Sequence, residues 1–184
     1  MATRQTTVQD PRSLIYGSAI LEVQPLGASE AWVNLGAVRG VNVTENTTVT
    51  QLAGDNADIE KYVSLHTLTI SFTQLEIVRD EVREILRGDF DEREDGATDY
   101  TIYTGGRSTL PDFEVRLTNV NEDGDIKEFT AYKCSLDQGY SLAFQDDMVE
   151  DPIVLNEVSM TAIPDIDRAI GRQLYQIRVE AGPT

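Results

Sequence analysis

The segment from Val63 to Thr73, VSLHTLTISFT, constrains the fold more than any other part of the chain. Its residues alternate with a period of two, which is typical of a β-strand that buries one face in an antiparallel sheet. We expect His66 at a packed or rim position of the buried face rather than in a functional role. The apolar face holds His66, Leu68, Ile70 and Phe72, and the polar face holds Thr67, Thr69, Ser71 and Thr73.

A β-hairpin is predicted around Asp123-Gly124, because this dipeptide favours a type I′ turn and lies between two alternating runs. Cys134 is expected to be a small core residue of this hairpin rather than a nucleophile. The turn predicts that Phe113 pairs with Cys134, Val115 with Tyr132 and Leu117 with Thr130.

Further short strands are predicted in residues 18–27, 32–43, 151–165 and 172–180, for a total of seven to nine. Strands and helices do not alternate along the chain, so a parallel α/β fold is not expected. The prediction is a single mainly-β domain over residues 1–184. Its architecture is an antiparallel β-sandwich or barrel with one packed α-helix.

The helix is predicted at about residues 74–87. Thr73 and Glu76 match a capping box, and Phe72 and Ile77 match a hydrophobic staple. Gly88 is a typical helix stop. The apolar stripe consists of Ile77, Val78, Val82, Ile85 and Leu86.

Residues 44–61, TENTTVTQLAGDNADIEK, contain strand-favouring Thr and Val but too few apolar residues to bury a face. We interpret them as a long inter-strand loop. Residues 1–13 have almost no apolar periodicity and are interpreted as an N-terminal arm.

The chain has 32 acidic and 15 basic residues, for a net charge of −17. Such a chain does not bind nucleic acid by the usual route, in which Lys and Arg displace counterions from the phosphates. Its charge serves solubility alone, or provides a surface that sits near DNA without adhering to it. The single cysteine excludes an intramolecular disulfide and fits a reducing compartment. No membrane span or signal peptide is predicted, so we expect the chain to fold in a cytoplasm.

Catalytic and metal-binding arrangements are not predicted. One His and one Cys do not make a zinc site, and no serine lies in a G-x-S-x-G motif. The acidic segment 89–99 has Arg93 and Glu94 where a calcium loop needs a ligand and a glycine, so it is interpreted as a solvated loop. We therefore expect no enzyme activity and no cofactor.

Three features occur in order along the chain. Residues 35–41, LGAVRGV, precede the polar stretch from Thr44, and LHTLTISFTQLEIVRDEVREILRG then runs from a Thr-rich strand into a capped helix. Residues 160–165, MTAIPD, end the last core strand on an apolar-Pro-Asp sequence. Together, over roughly residues 15–180, they resemble the major tail tube proteins of tailed bacteriophages, which are relatives of the type VI secretion tube protein.

This resemblance implies sheets that join laterally into hexameric rings, which stack into a hollow tube through which DNA is ejected. It implies that residues 44–61, with the arms 1–13 and 176–184, reach a neighbouring subunit or ring. The partners implied are further copies of the chain, the tape measure, tail tip and terminator proteins, and a sheath if the tail is contractile. The location implied is the virion tail, assembled in the host cytoplasm.

The resemblance also implies two sets of site residues. The acids at the turn 122–125 are expected to face the lumen or, equally, an outer solvated surface. The inter-subunit set is Thr47, Val49, Gln51, Leu52, Asp55, Asn56 and Asp58, and the acidic set is Glu122, Asp123 and Asp125.

Three alternatives remain open at this stage. The first is the inner tube of a phage-like secretion or injection particle with protein cargo. The second is a monomeric β-sandwich binding module, and the third is an enzyme that uses two carboxylates. A carbohydrate-binding module is expected to expose aromatic platforms, whereas Trp32 is the only tryptophan and is expected in the core. The 32 acids make chance carboxylate pairs certain, so such pairs carry little information.

Overall fold

The alternating segment 63–73 forms most of the longest strand among the residues that the structure describes. The structure, a computed structural model, describes residues 19–29, 32–53, 58–74, 80–88, 91–96, 100–104, 109–120, 124–138, 142–143 and 155–180. Its elements are β1 Ile20–Pro25, β2 Val33–Asn34, β3 Val38–Ala53, β4 Asp58–Gln74, α1 Asp80–Arg87, β5 Asp91–Asp95, β6 Tyr100–Thr104, β7 Phe113–Val120, β8 Ile126–Leu136, β9 Leu142–Ala143, β10 Leu155–Ala162 and β11 Tyr175–Glu180.

Nine strands form an antiparallel sheet in the order β2-β1-β7-β8-β10-β4-β3, with β9 beside β10 and β11 beside β8. Strand β8 divides this sheet, because residues 126–131 pair with β11 and residues 134–136 pair with β10. Strands β5 and β6 form a separate two-stranded sheet. The described residues thus confirm a mainly-β, antiparallel, sandwich-like fold with one short helix, and their sheet does not close into a barrel.

The core is built from the predicted apolar faces. Leu68, Ile70 and Phe72 of β4 are buried, as the alternation predicts. They meet Val158 and Met160 of β10, which pair with β4 in register. Each buried side chain of this size stabilises the fold by about 1.5–3 kcal/mol. The core therefore follows directly from period-two alternation in adjacent strands.

The predicted start of the helix is wrong. Thr73 and Gln74 are the last residues of β4, where Thr73 pairs with Arg39 on one side and with Glu157 on the other. These ladder hydrogen bonds place Thr73 in a strand rather than at a helix cap. Residues 75–79 lie outside the described residues. The apolar stripe is confirmed for Val82 and Leu86, which are buried.

The predicted register of the β7–β8 hairpin is correct at one pair and off by one residue at the others. Phe113 pairs with Cys134, but Val115 pairs with Ala131 and Leu117 with Phe129. The cause is a bulge between Phe113 and Val115, which inserts one residue into the ladder. Cys134 is fully buried, as expected, and burial raises the pKa of its thiol far above the ordinary range.

The interpretation of residues 44–61 as a loop and of 176–184 as an arm is also wrong where the structure describes them. Residues 44–53 and 58–61 continue β3 and β4 and pair with each other. Residues 176–180 belong to β11 and pair with β8. The strand propensity of Thr and Val, with a partner strand in register, outweighs the shortage of apolar residues. Residues 54–57 and 181–184 and the predicted arm 1–13 lie outside the described residues.

Replacing a core side chain tests the assignment of the buried face. We expect Met160→Ala to lower the free energy of unfolding by about 2–5 kcal/mol, because it leaves a cavity where the side chain is fully buried. Ile166→Ala, on the exposed loop after β10, is the control and should change it by less than about 0.5 kcal/mol. Equal effects of the two substitutions in urea unfolding would show that the face is wrongly assigned.

Candidate interaction surface

The β3–β4 hairpin continues past the core as a two-stranded ribbon, defined here as residues 47–53 and 58–66. The pairs from Thr47 with His66 to Ala53 with Asp58 lie in it. Val49 and Val63 face each other across the ribbon and are 57% and 56% exposed. Leu65, which pairs with Thr48, is also exposed. A two-stranded ribbon without a covered apolar face is marginally stable in water.

Polar side chains hold the ribbon together within one chain. Thr50 Oγ1 donates to Ser64 Oγ at 3.1 Å, and Ser64 Oγ donates to the carbonyl of Thr48 at 3.2 Å. Nearer the core, Asn46 Nδ2 donates to Thr69 Oγ1 at 2.9 Å. These cross-strand bonds supply the order that apolar burial does not, and they leave the valine pair uncovered.

A group of four side chains, called here the base cluster, joins the root of the ribbon to β11. His66 Nε2 lies 2.5 Å from Glu45 Oε1, and the Tyr175 hydroxyl donates to Glu45 Oε2 at 3.0 Å. Phe129 of β8 stacks on Tyr175 with ring centroids 5.2 Å apart. The cluster therefore connects β3 and β4 with β8 and β11.

The base cluster changes the titration of two of its members. The hydrogen bond from His66, followed by that from Tyr175, lowers the pKa of Glu45 below its ordinary value of 4.5. The hydrogen bond to Glu45 raises the pKa of the Tyr175 phenol above 10.0. Both directions favour an ionised carboxylate that accepts hydrogen bonds from its neighbours.

An apolar groove of about 500 Å³ opens between β3 on one side and β7, β8 and β11 on the other. Leu117, Phe129 and Ile177 form one row across β7, β8 and β11, since each pairs with the next in register. Ile177 remains 57% exposed. The charged residues among the lining are one base and one acid, Lys127 and Glu128. The apolar side chains of the lining are Ala19, Val38, Val41, Val43, Leu117, Phe129 and Ile177.

The residues predicted from the sequence as inter-subunit contacts fall in or beside the ribbon. Thr47, Val49 and Gln51 are exposed on β3. Leu52 pairs with Glu60, and Asp58 pairs with Ala53. Asp55 and Asn56 lie outside the described residues. The predicted residues that are described therefore share one protruding element, although they lie on strands rather than on a loop.

The acidic set does not form a described surface. Asp125 is 7% exposed and makes a polar interaction inside the chain, so its expected place on a lumen wall or outer solvated surface is wrong. It follows Gly124 directly before β8, where the fold buries the start of the strand. Glu122 and Asp123 lie outside the described residues.

Two features of the described residues do not follow from the sequence alone. The base cluster joins residues 45, 66, 129 and 175, and only the pairing of β3 with β4 signals that Glu45 and His66 are near each other. His66 does occupy the predicted rim of the buried face. Trp32 is half-buried beneath the Arg116 guanidinium, whose carbon lies 4.4 Å from its ring centroid, rather than deep in the core.

Two general tests apply to the described part of the chain. No three His, Cys, Asp or Glu side chains there are grouped so that they hold a metal ion. None of its helices has the length and apolar character needed to cross a membrane.

Comparisons with known proteins give a distant likeness among solved structures. The chain matches no protein-family model and no curated protein. Among solved structures it resembles the cryo-EM structure of the anti-feeding prophage cap (AFP tube terminating cap), with a TM-score of 0.48 and 9% sequence identity. The alignment covers 97% of this chain and 100% of that chain. At this similarity the likeness assigns no function.

The base cluster generates a prediction for pH dependence. The folded pKa of Glu45 is lowered, so its contribution to stability is present above the unfolded pKa and is lost as pH falls through the folded pKa. We expect His66→Ala to raise the Glu45 pKa toward 4.5, and Tyr175→Phe to raise it less. The ¹³C chemical shift of the Glu45 carboxyl carbon measures both.

Tyr103→Phe provides the matched control, because Tyr103 lies on the separate β5–β6 sheet and bonds Glu94 instead. It should leave the Glu45 titration unchanged. The same Glu45 pKa in the wild type and in His66→Ala would show that the imidazole does not act on this carboxylate.

Proposed function

We propose that the chain is a structural subunit that assembles with further copies of itself into stacked hexameric rings, which form the tube of a phage-type tail. The observation that carries the proposal is the ribbon, an ordered element that extends beyond the core and exposes Val49, Val63 and Leu65. A neighbouring subunit that covered this element would bury apolar surface that one chain leaves in water. The proposal includes no catalytic role and no cofactor.

The energetics of the ribbon favour a partner. Val49 and Val63 are each a little over half exposed, so a partner that covers them adds about half of the 1.5–3 kcal/mol that full burial of each side chain contributes. The ribbon also adds backbone length that the core does not need, since Leu68, Ile70 and Phe72 already fill the buried face of β4. An element of this kind suits contact across a subunit boundary.

The net charge supports DNA as the cargo of the proposed tube. Six copies of −17 each carry −102 formal charges per ring. If part of this charge faces the lumen, a passing duplex meets electrostatic repulsion rather than an adhesive wall. A conduit for protein has no general need for such a wall. The proposal extends to a virion location, to assembly in the host cytoplasm and to contacts with other tail proteins.

Charging the exposed valine pair tests the role of the ribbon. We expect Val49→Asp and Val63→Asp each to raise the concentration needed for assembly by at least about tenfold, since either substitution removes an apolar contact and buries a charge. The melting temperature of the monomer should change little, because both side chains are exposed. Sedimentation velocity and negative-stain electron microscopy on the same samples measure assembly.

Tyr103→Asp is the control, because it adds the same charge at an exposed aromatic residue of the β5–β6 sheet. It should assemble as the wild type does. Rings or tubes that form equally well from Val49→Asp, Val63→Asp and the wild type would refute the role of the ribbon. A wild-type chain that remains a monomer across all concentrations would instead favour the binding-module alternative, and the apolar groove would then be the ligand site to test.

A further inference from the structure

The loop between β10 and β11, residues 163–174, exposes three isoleucines, and two of them are almost entirely in solvent. Ile163 is 43% exposed, Ile166 is 82% exposed and Ile170 is 94% exposed. A single exposed isoleucine needs no explanation, but two that are mostly exposed, four residues apart in one short loop, call for one. We call Ile166 and Ile170 the isoleucine knob.

The knob is held in place by a dense set of polar contacts. Arg168 Nη2 donates to Glu114 Oε1 at 2.5 Å and Arg168 Nε donates to Asp165 Oδ2 at 3.1 Å. The guanidinium carbon also lies 3.6 Å from the centroid of the Tyr132 ring. Asp165 and Leu174, at the two ends of the loop, are buried.

Backbone and side-chain hydrogen bonds close the same loop. The amide of Asp165 donates to the carbonyl of Gln173 at 2.8 Å, and Gln173 Nε2 donates to the carbonyl of Arg168 at 3.1 Å. The amide of Tyr132 on β8 donates to the carbonyl of Leu174 at 3.2 Å. A loop fixed at this many points presents its side chains with little loss of conformational entropy on binding.

The apolar groove is the matching concave surface on the same molecule. Its lining comes from β3, β7, β8 and β11 and from Ala19, so the groove and the knob are different parts of the surface. Phe129 and Ile177 are only partly covered in the single chain. The groove therefore offers an apolar receptor, and the knob an apolar ligand, of one chain for another.

Charge makes these two surfaces compatible with self-association in a chain of net charge −17. Residues 163–174 contain two aspartates and two arginines, so the knob loop is electrically neutral. Lys127 and Glu128 balance each other in the groove lining. Contact through these surfaces thus adds no local like-charge repulsion to the long-range repulsion that the chain as a whole imposes.

We infer that the isoleucine knob of one copy docks in the apolar groove of a second copy. This inference rests on the proposed self-assembly and names a contact for it that is separate from the ribbon. The contact joins two different patches, so each added copy leaves one knob and one groove free. A contact of this kind is heterologous and generates rings or filaments.

Mixed disulfide formation tests the docking directly. Cys134 is fully buried, so cysteines introduced at exposed sites are the reactive thiols. Chains with Ile170→Cys and chains with Ile177→Cys are purified separately, mixed and oxidised gently. We expect a mixed disulfide in this mixture, and none when Tyr103→Cys replaces Ile177→Cys. A mixed disulfide of Val49→Cys with Ile177→Cys, and none with Ile170→Cys, would assign the groove to the ribbon and overturn the inference.

Assembly of Ile170→Asp provides the second measurement. We expect it to need at least about tenfold more protein than the wild type to assemble, with an unchanged melting temperature because residue 170 is almost fully exposed. Assembly of Ile170→Asp at the wild-type concentration, together with loss of assembly in Val49→Asp, would overturn the knob contact and leave the proposed function standing. Unimpaired assembly of both variants would refute both contacts. Absence of assemblies of the wild type, together with absence of a mixed disulfide between the two cysteine variants, would refute the self-association itself.

Discussion

The pairing of β4 on both of its edges is the constraint on which the rest of the structure depends. Residues 68–74 bond to β10 on one side and to β3 on the other, with three of their side chains in the core. This double ladder fixes the register of β4, because a slip by one residue would move Leu68, Ile70 and Phe72 to the solvent face. This anchored segment sets the position of the ribbon, since residues 58–66 are the same strand continued beyond the core.

Net charge and apolar exposure act against each other on this surface. A charge of −17 opposes contact between copies at long range, and it is screened within about 8–10 Å at ordinary ionic strength. Association must therefore use patches that are locally neutral and rich in apolar area. The groove and the isoleucine knob meet this requirement, whereas Asp58, Glu60 and Lys61 give the ribbon a net charge of −1.

The fold class and most of the buried face could be predicted from the sequence because period-two alternation is a local signal. Leu68, Ile70, Phe72 and Met160 are buried where the alternation places them. The helix start could not be predicted, because Thr73 satisfies a capping pattern but takes part in ladders formed by β3 and β10, which are distant in sequence. The same holds for residues 44–53, whose polar composition suggests a loop until a partner strand in register is known.

The candidate surface was predictable only in outline. The sequence marks the ribbon as unusual, but the base cluster, the groove and the isoleucine knob depend on strand order and register. Ile166 and Ile170 illustrate the difficulty, since their spacing of four residues also occurs on the buried face of a helix. Only the buried Asp165 and the Arg168 network show that this segment is a fixed loop with its isoleucines in solvent.

A series of contacts links the ribbon and the isoleucine knob. Tyr175 follows the knob loop directly in sequence, and its hydroxyl bonds Glu45 at the root of the ribbon. The loop is in turn fixed to β8 through the amide of Tyr132. Because Phe129 stacks on Tyr175 and also lines the groove, the receptor for the second copy belongs to the same connected set.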